Sequence, residues 1–263
     1  MLSLQPAIES ANLARRIGVV LGSLLVTCYY CSKVLLRALV GRLGRTDVDR
    51  YTRRWSGLLL RLVRMRLSVH GEIPDFSDGH RYILLSSHAS HYDIPASFVA
   101  LPGSIRMLAK KELFRIPLFG AAIRAAEFPS VDRHHRHQAV KDLEKARQMM
   151  ESGIVLWAAP EGTRSRDGQL LPFKKGCFRL ALDTNALIVP MVFRGIHEVL
   201  PARTWRFNLG LPVQLHIGAP IDASRYGVEQ LAELMAQTRL SMQELLGEPA
   251  PSRQPRGLSE QPI

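Results

Sequence analysis

The chain has 263 residues, enough for one sizeable domain with its own hydrophobic core. Hydrophobic residues make up 46% of it, which excludes a disordered chain and a protein with many membrane spans. The net charge of +12 favours an anionic partner, namely an anionic membrane surface, a phosphorylated small molecule or a nucleic acid. Aromatic residues are only 7% and do not alternate with basic ones, so a membrane is favoured and no nucleic acid is expected.

Three cysteines are too few, and too irregularly spaced, for a disulfide framework, and they fit a reducing compartment. Cys28 and Cys31 have the C-x-x-C spacing of redox sites, but they lie inside an apolar stretch, where small membrane-facing residues are the favoured interpretation. A role for Cys177 as an acyl-carrying nucleophile is open but disfavoured, because no histidine lies near it in the sequence.

The first element in chain order is an apolar stretch with basic ends. Arg15 and Arg16 precede sixteen uncharged residues, 17–32, and Lys33 and Arg37 follow. A full membrane span needs about 20 residues, so the helix either spans with its basic side chains reaching the interfaces or dips into one leaflet. Cations are denser on the C-terminal side, which predicts an inner-membrane protein whose active site faces the cytoplasm if the helix spans.

The stretch from Arg50 to Leu67 is predicted to be a basic amphipathic helix. At 100° per residue its arginines fall within one arc of about 100°, and its aromatic and aliphatic residues occupy the other side. Such a helix suits an anionic lipid surface, although a core-packed helix with a solvated arginine face is the alternative. Residues 1–66 are therefore interpreted as N-terminal membrane-associated helices.

From residue 67 onward, strand-like and helix-like stretches alternate. This pattern predicts an α/β domain over residues 67–246, with a mixed central sheet flanked by helices. Residues 247–263 contain four prolines and are predicted to form a disordered tail. The predicted strands are Tyr82–Leu85, Ile105–Ala109, Glu127–Val131, Ile154–Ala159, Leu187–Phe193 and Val213–Ile217, and the predicted helices are Leu118–Ala126, Arg136–Ser152, Cys177–Asn185 and Gly227–Leu246.

His88 and Asp93 follow the predicted strand Tyr82–Leu85. An imidazole, with a pKa near ~6.5, can take up and return a proton, and a nearby carboxylate would hold it in one tautomer. The same spacing also occurs in His70–Asp75, at a predicted surface turn, and in His137–Asp142, in a predicted helix. Five residues turn a straight helix by about 140°, so His88 reaches Asp93 only if the intervening backbone is not helical.

Two further polar clusters follow predicted strands. Residues 160–168 contain glycine, hydroxyl and arginine side chains that could hold a phosphate, although an ordinary turn is the alternative. Val131–Arg133 leads into three histidines, which have no cysteine or carboxylate set at zinc spacing. They are interpreted as the basic start of a helix, and no metal or organic cofactor is expected.

In this order, His88–Asp93, Val131–Arg133, Glu161–Ser165 and Ile188–Pro190 resemble the four sequence blocks of the glycerolipid acyltransferase family, of the lysophosphatidic acid acyltransferase type. The resemblance covers about residues 60–220. It implies transfer of a fatty acyl group from acyl-CoA or acyl carrier protein, as a co-substrate, to a lysophospholipid acceptor.

The resemblance also implies residue roles. His88 would be the general base on the free glycerol hydroxyl, oriented by Asp93, with direct attack on the thioester, and Pro190 would lie on the acyl-donor side. The block before Arg133 is atypical, and Ser87 stands where asparagine is frequent, so another lysolipid, such as a lyso-ornithine lipid, is an alternative acceptor. A non-catalytic membrane- or nucleic-acid-binding protein is the other alternative. The implied acceptor-binding residues are Arg133, Glu161, Gly162, Thr163, Arg164 and Ser165.

Overall fold

The structure is a computed structural model that describes residues 10–131 and 136–247. Arg133 and the predicted tail beyond Gly247 lie outside these residues. The helices are α1 (Leu13–Leu39), α2 (Arg45–Leu62), α3 (Asp93–Ala100), α4 (Phe119–Ala125), α5 (Arg136–Glu151), α6 (Gly176–Thr184), α7 (Ile196–Val199) and α8 (Leu231–Leu246). The strands are β1 (Arg66–His70), β2 (Tyr82–Ser86), β3 (Ile105–Met107), β4 (Ala109–Lys110), β5 (Ser130–Val131), β6 (Val155–Ala158), β7 (Leu187–Arg194), β8 (Pro212–Ile217) and β9 (Ile221–Asp222).

Within the described part of the chain, seven strands form one mixed sheet. Its order is β1-β8-β7-β2-β6-β3, and β9 pairs with the start of β7. β7, β2, β6 and β3 run parallel to one another, whereas β8 and β9 are antiparallel to β7. The predicted mixed sheet flanked by helices is confirmed. The parallel strands β7, β2, β6 and β3 place their carboxyl ends at one edge of the sheet, where ligand sites in such sheets occur.

The sheet is buried on both faces, which explains why its central strands are continuous apolar runs. All five residues of β2 are buried. Tyr82 and Leu84 pack with residues of α2 and α3 on one face, while Ile83 and Leu85 pack with residues of α5, α6 and α8 on the other. The three-layer arrangement fixes the direction of β2 and therefore the position of the polar residues that follow it.

The second helix differs from its prediction. It was expected over Arg50–Leu67, but α2 begins at Arg45, where the Asp47 carboxylate lies 3.5 Å from the Gly44 amide. It ends at Leu62 because Arg64 has a left-handed backbone with φ of 53°. The chain then enters β1, which was not predicted, because most of its side chains are exposed at the sheet edge and carry no apolar run.

The predicted strand Glu127–Val131 is shortened to β5. Glu127 has a φ of 60°, a conformation outside the strand region, and its carboxylate accepts hydrogen bonds from the Arg45 guanidinium at 2.8 and 2.9 Å. Arg45 belongs to α2, so this bidentate ion pair joins the N-terminal helices to the α/β part of the chain.

Among the described residues, α1 is the one helix long and apolar enough to cross a membrane. One side of it packs against the protein through Val19, Cys31 and Val34, and Thr27 accepts a hydrogen bond from the Trp55 indole at 3.0 Å. The opposite side exposes a row of large apolar side chains: Leu13, Ile17, Leu21, Leu24, Leu25, Tyr29, Leu36 and Leu39. The helix is thus attached to α2 and to the α/β part along most of its length.

A buried ion pair fastens α2 to the edge strand β3. The Arg106 guanidinium is fully buried, donates to the Asp49 carboxylate at 2.6 Å and donates to the Ala126 carbonyl at 2.8 Å. Ser104 donates to the other Asp49 oxygen at 2.5 Å. Because burying a charge without its partner is costly, the pair ties the position of α2 to that of the sheet.

We expect Asp49→Ala to destabilise the protein by about 3 kcal/mol, because it leaves the buried Arg106 charge uncompensated. The measurement is urea unfolding in mild detergent. Asp49→Ala combined with Arg106→Leu is the control, and it should recover part of the loss. An Asp49→Ala variant as stable as the wild type would contradict this role of the pair.

Candidate active site

His88 and Asp93 are in direct contact. The His88 Nδ1 atom lies 2.6 Å from the Asp93 Oδ2 atom. The Asp93 side chain is fully buried, whereas the His88 side chain remains 18% exposed. The backbone between His88 and Asp93 is not helical, as this contact requires, because α3 starts only at Asp93. The contact also removes the premise of the non-catalytic alternative, which requires the two side chains to lie apart or His88 to be sealed from solvent.

Asp93 accepts three hydrogen bonds at one oxygen. Besides the His88 ring, the amides of Ala89 and Ser90 donate to its Oδ2 atom at 2.8 and 3.0 Å. These amides fix the carboxylate in place, and the carboxylate fixes the imidazole with its proton on Nδ1. The Nε2 atom is then the nitrogen left to accept a proton from a substrate.

Two residues that the sequence did not single out complete the support of His88. The Trp157 ring on β6 meets the His88 ring edge-on, with centroids 6.1 Å apart. The Trp157 indole donates to the Ser97 hydroxyl at 3.0 Å, and that hydroxyl donates to the Asp93 carbonyl at 2.9 Å. An apolar β6 residue gives no chemical signal in the sequence, so this contact could not be found without the sheet register.

The loop Glu161–Ser165 lies beside His88. The Ser165 amide donates to the His88 carbonyl at 2.7 Å, which couples the two predicted clusters directly. The Ser165 hydroxyl donates to Asp167 at 2.8 Å and accepts from the Gly168 amide at 3.1 Å. Ser165 therefore stabilises the loop from inside, while Thr163 is exposed and Arg164 is half-buried on its outer side.

Gly162 allows this loop to turn tightly. Its φ is +69°, and a Cβ at this position would come within 3.0 Å of the Lys174 side chain. Lys174 thus packs against the loop and adds a positive charge to the same edge of the sheet.

Glu161 is buried, with 2% of its surface exposed. Burial raises the pKa of its carboxyl to about 8, and the negative charge of Asp93 contributes. The amides of His88 and Leu171 and the charge of Arg239 act in the opposite direction. No described donor, however, reaches either carboxyl oxygen with hydrogen-bond geometry. Burial therefore favours the neutral form of the Glu161 carboxyl.

His91, within the His88–Asp93 turn, has an exposed side chain. The protein that covers part of its ring lowers the pKa of the imidazole, and the nearby charge of Arg164 lowers it further. Arg164 thus acts on the His88–Asp93 turn electrostatically, and the His91 ring is neutral at neutral pH.

Cys177 is not suited to carry an acyl group. It is buried at the start of α6, and burial raises the pKa of its thiol to about 12, so the reactive thiolate is not formed at neutral pH. No group of three or more histidine, cysteine or acidic side chains able to hold a metal ion occurs within residues 10–131 and 136–247.

An apolar cavity of about 90 Å³ lies between the N-terminal helices and the α/β part. Side chains of α1, α2, α3 and α4 line it, and Met107 of β3 closes one wall. Ile94 and Phe98 of α3 reach it from the helix that begins with Asp93. The short helix α3 therefore carries both Asp93 and part of the cavity lining.

The structure brings seven of the eight predicted site residues into one neighbourhood. His88, Asp93, Glu161 and Ser165 are linked through contacts or charge, and Arg164 influences the same turn. Gly162 and Thr163 belong to the same loop, and Arg133 lies outside the described residues. The roles assigned to the individual loop residues stay predictions.

A histidine–carboxylate pair beside a cationic loop, at the carboxyl edge of a parallel sheet, is suited to general-base group transfer. The sequence profile of the family described as Acyltransferase matches residues 66–194. The 1-acyl-sn-glycerol-3-phosphate acyltransferase of Haemophilus influenzae is 31% identical over 198 residues, which cover 74% of this chain and 80% of that protein. The chain belongs to the 1-acyl-sn-glycerol-3-phosphate acyltransferase family.

Other similarities agree. The crystal structure of the 1-acyl-sn-glycerophosphate (LPA) acyltransferase PlsC from Thermotoga maritima superposes with a TM-score of 0.74 and 25% identity, covering 89% of this chain and 94% of that one. A 1-acyl-sn-glycerol-3-phosphate acyltransferase of Limnanthes douglasii is 36% identical over 152 residues, 57% of this chain. The matched part spans about half of that plant protein, 54%.

We expect Glu161→Gln to change the pH dependence of stability. Because the folded-state pKa of Glu161 is raised from 4.5 to about 8, its contribution to stability is full below about pH 4.5 and is lost as pH rises to about 8. The glutamine does not titrate, so the unfolding temperature of the variant minus that of the wild type should increase between pH 5 and 8. Thermal unfolding in detergent measures it.

The control is Glu229→Gln, which changes an exposed glutamate. Its difference from the wild type should be flat over the same pH range. A flat difference for Glu161→Gln would show that Glu161 is ionised in the folded protein throughout.

Proposed function

We propose that the protein transfers a fatty acyl group from acyl-CoA or acyl carrier protein to the free hydroxyl of 1-acylglycerol-3-phosphate, which gives phosphatidic acid. The observation that carries the proposal is the 2.6 Å contact between the buried Asp93 and the partly exposed His88, with the Glu161–Ser165 loop bonded to the same turn.

In the proposed reaction, the His88 Nε2 atom takes the proton of the acceptor hydroxyl. The hydroxyl oxygen attacks the thioester carbonyl, the new ester C–O bond forms, and the C–S bond breaks. The thiolate leaving group takes the proton back from His88, so the enzyme returns to its starting state. Asp93 stabilises the imidazolium between these steps, and general-base catalysis of this kind contributes about 10² to 10⁴ in rate.

The acceptor phosphate is assigned to the cationic side of the loop. A guanidinium binds phosphate with two parallel hydrogen bonds, and Arg164 has part of its side chain at the surface beside His91. Thr163, which is exposed, could donate a further hydrogen bond. Arg133 is proposed as a second phosphate ligand on the resemblance alone.

The apolar cavity between the N-terminal helices and α3 is assigned to an acyl chain. Its lining is almost entirely apolar, with aromatic and aliphatic side chains from four helices. It lies against α3, and the first residue of α3 is Asp93, so an acyl chain held there would have its carboxyl end near His88.

A membrane location suits both lipid substrates. At 1.5 Å per residue α1 is roughly 40 Å long. It is held against α2 and the α/β part near its start, its middle and its end by Val19, Thr27 and Val34. We therefore propose that α1 lies in one leaflet of the inner membrane, on the cytoplasmic side where acyl-CoA and acyl carrier protein occur, with its exposed apolar row in the lipid.

The deciding experiment is incubation of the purified protein with labelled acyl-CoA or acyl carrier protein and a panel of lysolipids. Formation of phosphatidic acid from 1-acylglycerol-3-phosphate is expected. A product from a lyso-ornithine lipid alone would change the acceptor. A salt-sensitive gel shift with nucleic acid and no transfer to any acceptor would refute the enzymatic function.

We expect His88→Ala and Asp93→Asn each to lower kcat by a factor of about 10² to 10⁴, because the first removes the base and the second its charged partner. Initial rates in detergent measure the effect, and circular dichroism verifies folding. His70→Ala removes the histidine of another His-x4-Asp pair and should stay within a few-fold of the wild type. Near-normal activity of folded His88→Ala would refute the mechanism.

We expect Arg164→Ala to raise the KM for the acceptor by about tenfold or more and the KM for acyl-CoA much less, because one charge-assisted phosphate contact is lost. Steady-state kinetics with each substrate varied in turn measure both constants. The matched control is Arg166→Ala, which changes an exposed arginine directly after the loop Glu161–Ser165. A larger effect on acyl-CoA would place Arg164 on the donor side.

A further inference from the structure

Trp205 is unusually exposed for a tryptophan. Its side chain is 77% exposed, and it stands between Arg203, Thr204 and Arg206, which are exposed as well. The other two tryptophans of the chain pack inside the protein or against a helix, so the exposure of Trp205 is not shared. An exposed indole with flanking arginines has the composition of a membrane-interface contact.

The turn that carries Trp205 is held by its own hydrogen bonds. The Thr204 amide and hydroxyl donate to the Pro201 carbonyl at 3.2 and 2.9 Å. The Arg206 amide donates to the Thr204 hydroxyl at 3.3 Å, and Arg203 is held at a φ of +64°. These bonds close the turn on itself, so the indole is presented outward by a defined backbone.

This turn is attached to the start of α1. The Ala11 amide donates to the Phe207 carbonyl at 2.8 Å, and Ser10 forms an antiparallel bridge with Asn208. The bridge places this turn beside the residues that lead into α1. Leu13 is 72% exposed and is the first residue of the apolar row that continues along α1. The turn that carries the indole is therefore bonded to the chain next to the N-terminal end of that row.

The residue just before this turn, Leu200, is bonded to the His88–Asp93 turn. The Ser90 hydroxyl donates to the Leu200 carbonyl at 3.2 Å, and Ser90 is one of the two residues whose amides hold Asp93. Trp205 is thus connected to the His88–Asp93 pair through Leu200 and Ser90, five residues along the chain and one hydrogen bond away.

We propose that the segment Pro201–Phe207 is a second membrane contact, in which Trp205 enters the headgroup region of an anionic bilayer while Arg203 and Arg206 face the lipid phosphates. Together with the exposed row of α1 it would fix the tilt of the protein, and with it the height of His88 above the lipid. The inference rests on the membrane location given under the proposed function.

The test compares Trp205→Glu with Val228→Glu, which introduces the same charge at a side chain that is 69% exposed in the turn preceding α8. Partition of the purified protein into phosphatidylglycerol vesicles is measured by sedimentation. We expect Trp205→Glu to weaken partition at least tenfold and Val228→Glu to stay within twofold of the wild type. Equal partition of all three proteins would overturn the inference.

Brominated lipids give a second measurement. They quench an indole that lies in the bilayer, so vesicles that contain them should quench the wild type more than Trp205→Phe, which keeps an apolar side chain. Quenching that is the same in both proteins would place Trp205 outside the lipid and refute the contact.

Activity separates this inference from the proposed function. With short-chain substrates dispersed in detergent, Trp205→Glu should be as active as the wild type, while on vesicles its rate should fall in parallel with its partition. A wild type that transfers no acyl group would refute the proposed function but leave the vesicle result standing. If Trp205→Glu raises the KM for acyl carrier protein while vesicle partition is unchanged, the surface binds a protein instead.

Discussion

The contact between the His88 Nδ1 atom and the Asp93 Oδ2 atom is the interaction on which the site depends. Three donors converge on one oxygen of a fully buried carboxylate, and two of them are backbone amides from the turn that precedes it. That arrangement needs a strand that stops at Ser86, a non-helical turn, and a helix that starts at Asp93. The sheet and its two helical layers supply all three, because packing on both faces of β2 leaves its end little freedom.

A second buried acid at the same edge has a different environment. Asp93 accepts three hydrogen bonds at its Oδ2 atom, although its Oδ1 atom has no partner among the described residues. Neither oxygen of Glu161 has a donor within hydrogen-bond geometry there, and burial raises the pKa of its carboxyl to about 8. Two carboxyl groups at one edge of the sheet thus lie in different surroundings.

Much of this could be predicted from the sequence, and the omissions have physical causes. The central strands were found because burial on both faces makes them continuous apolar runs, and His88–Asp93 stood out because it follows one of them. The helix Arg50–Leu67 was misplaced because its ends are set by Gly44 and by the left-handed Arg64, which leave no periodic signal. The strand β1, the burial of Glu161 and the Trp157 contact depend on tertiary neighbours. The same holds for the pairing of Phe207 with the start of α1.

In the proposed reaction, Asp93 holds the His88 ring with its proton on Nδ1 and leaves Nε2 to accept one from the substrate. Nitrogen NMR of protein labelled with ¹⁵N-histidine measures this directly, with His88→Gln used to assign the signals. At a pH where the ring is neutral, we expect a protonated Nδ1 and an unprotonated Nε2 for His88. A proton found on Nε2, with Nδ1 bare, would contradict it.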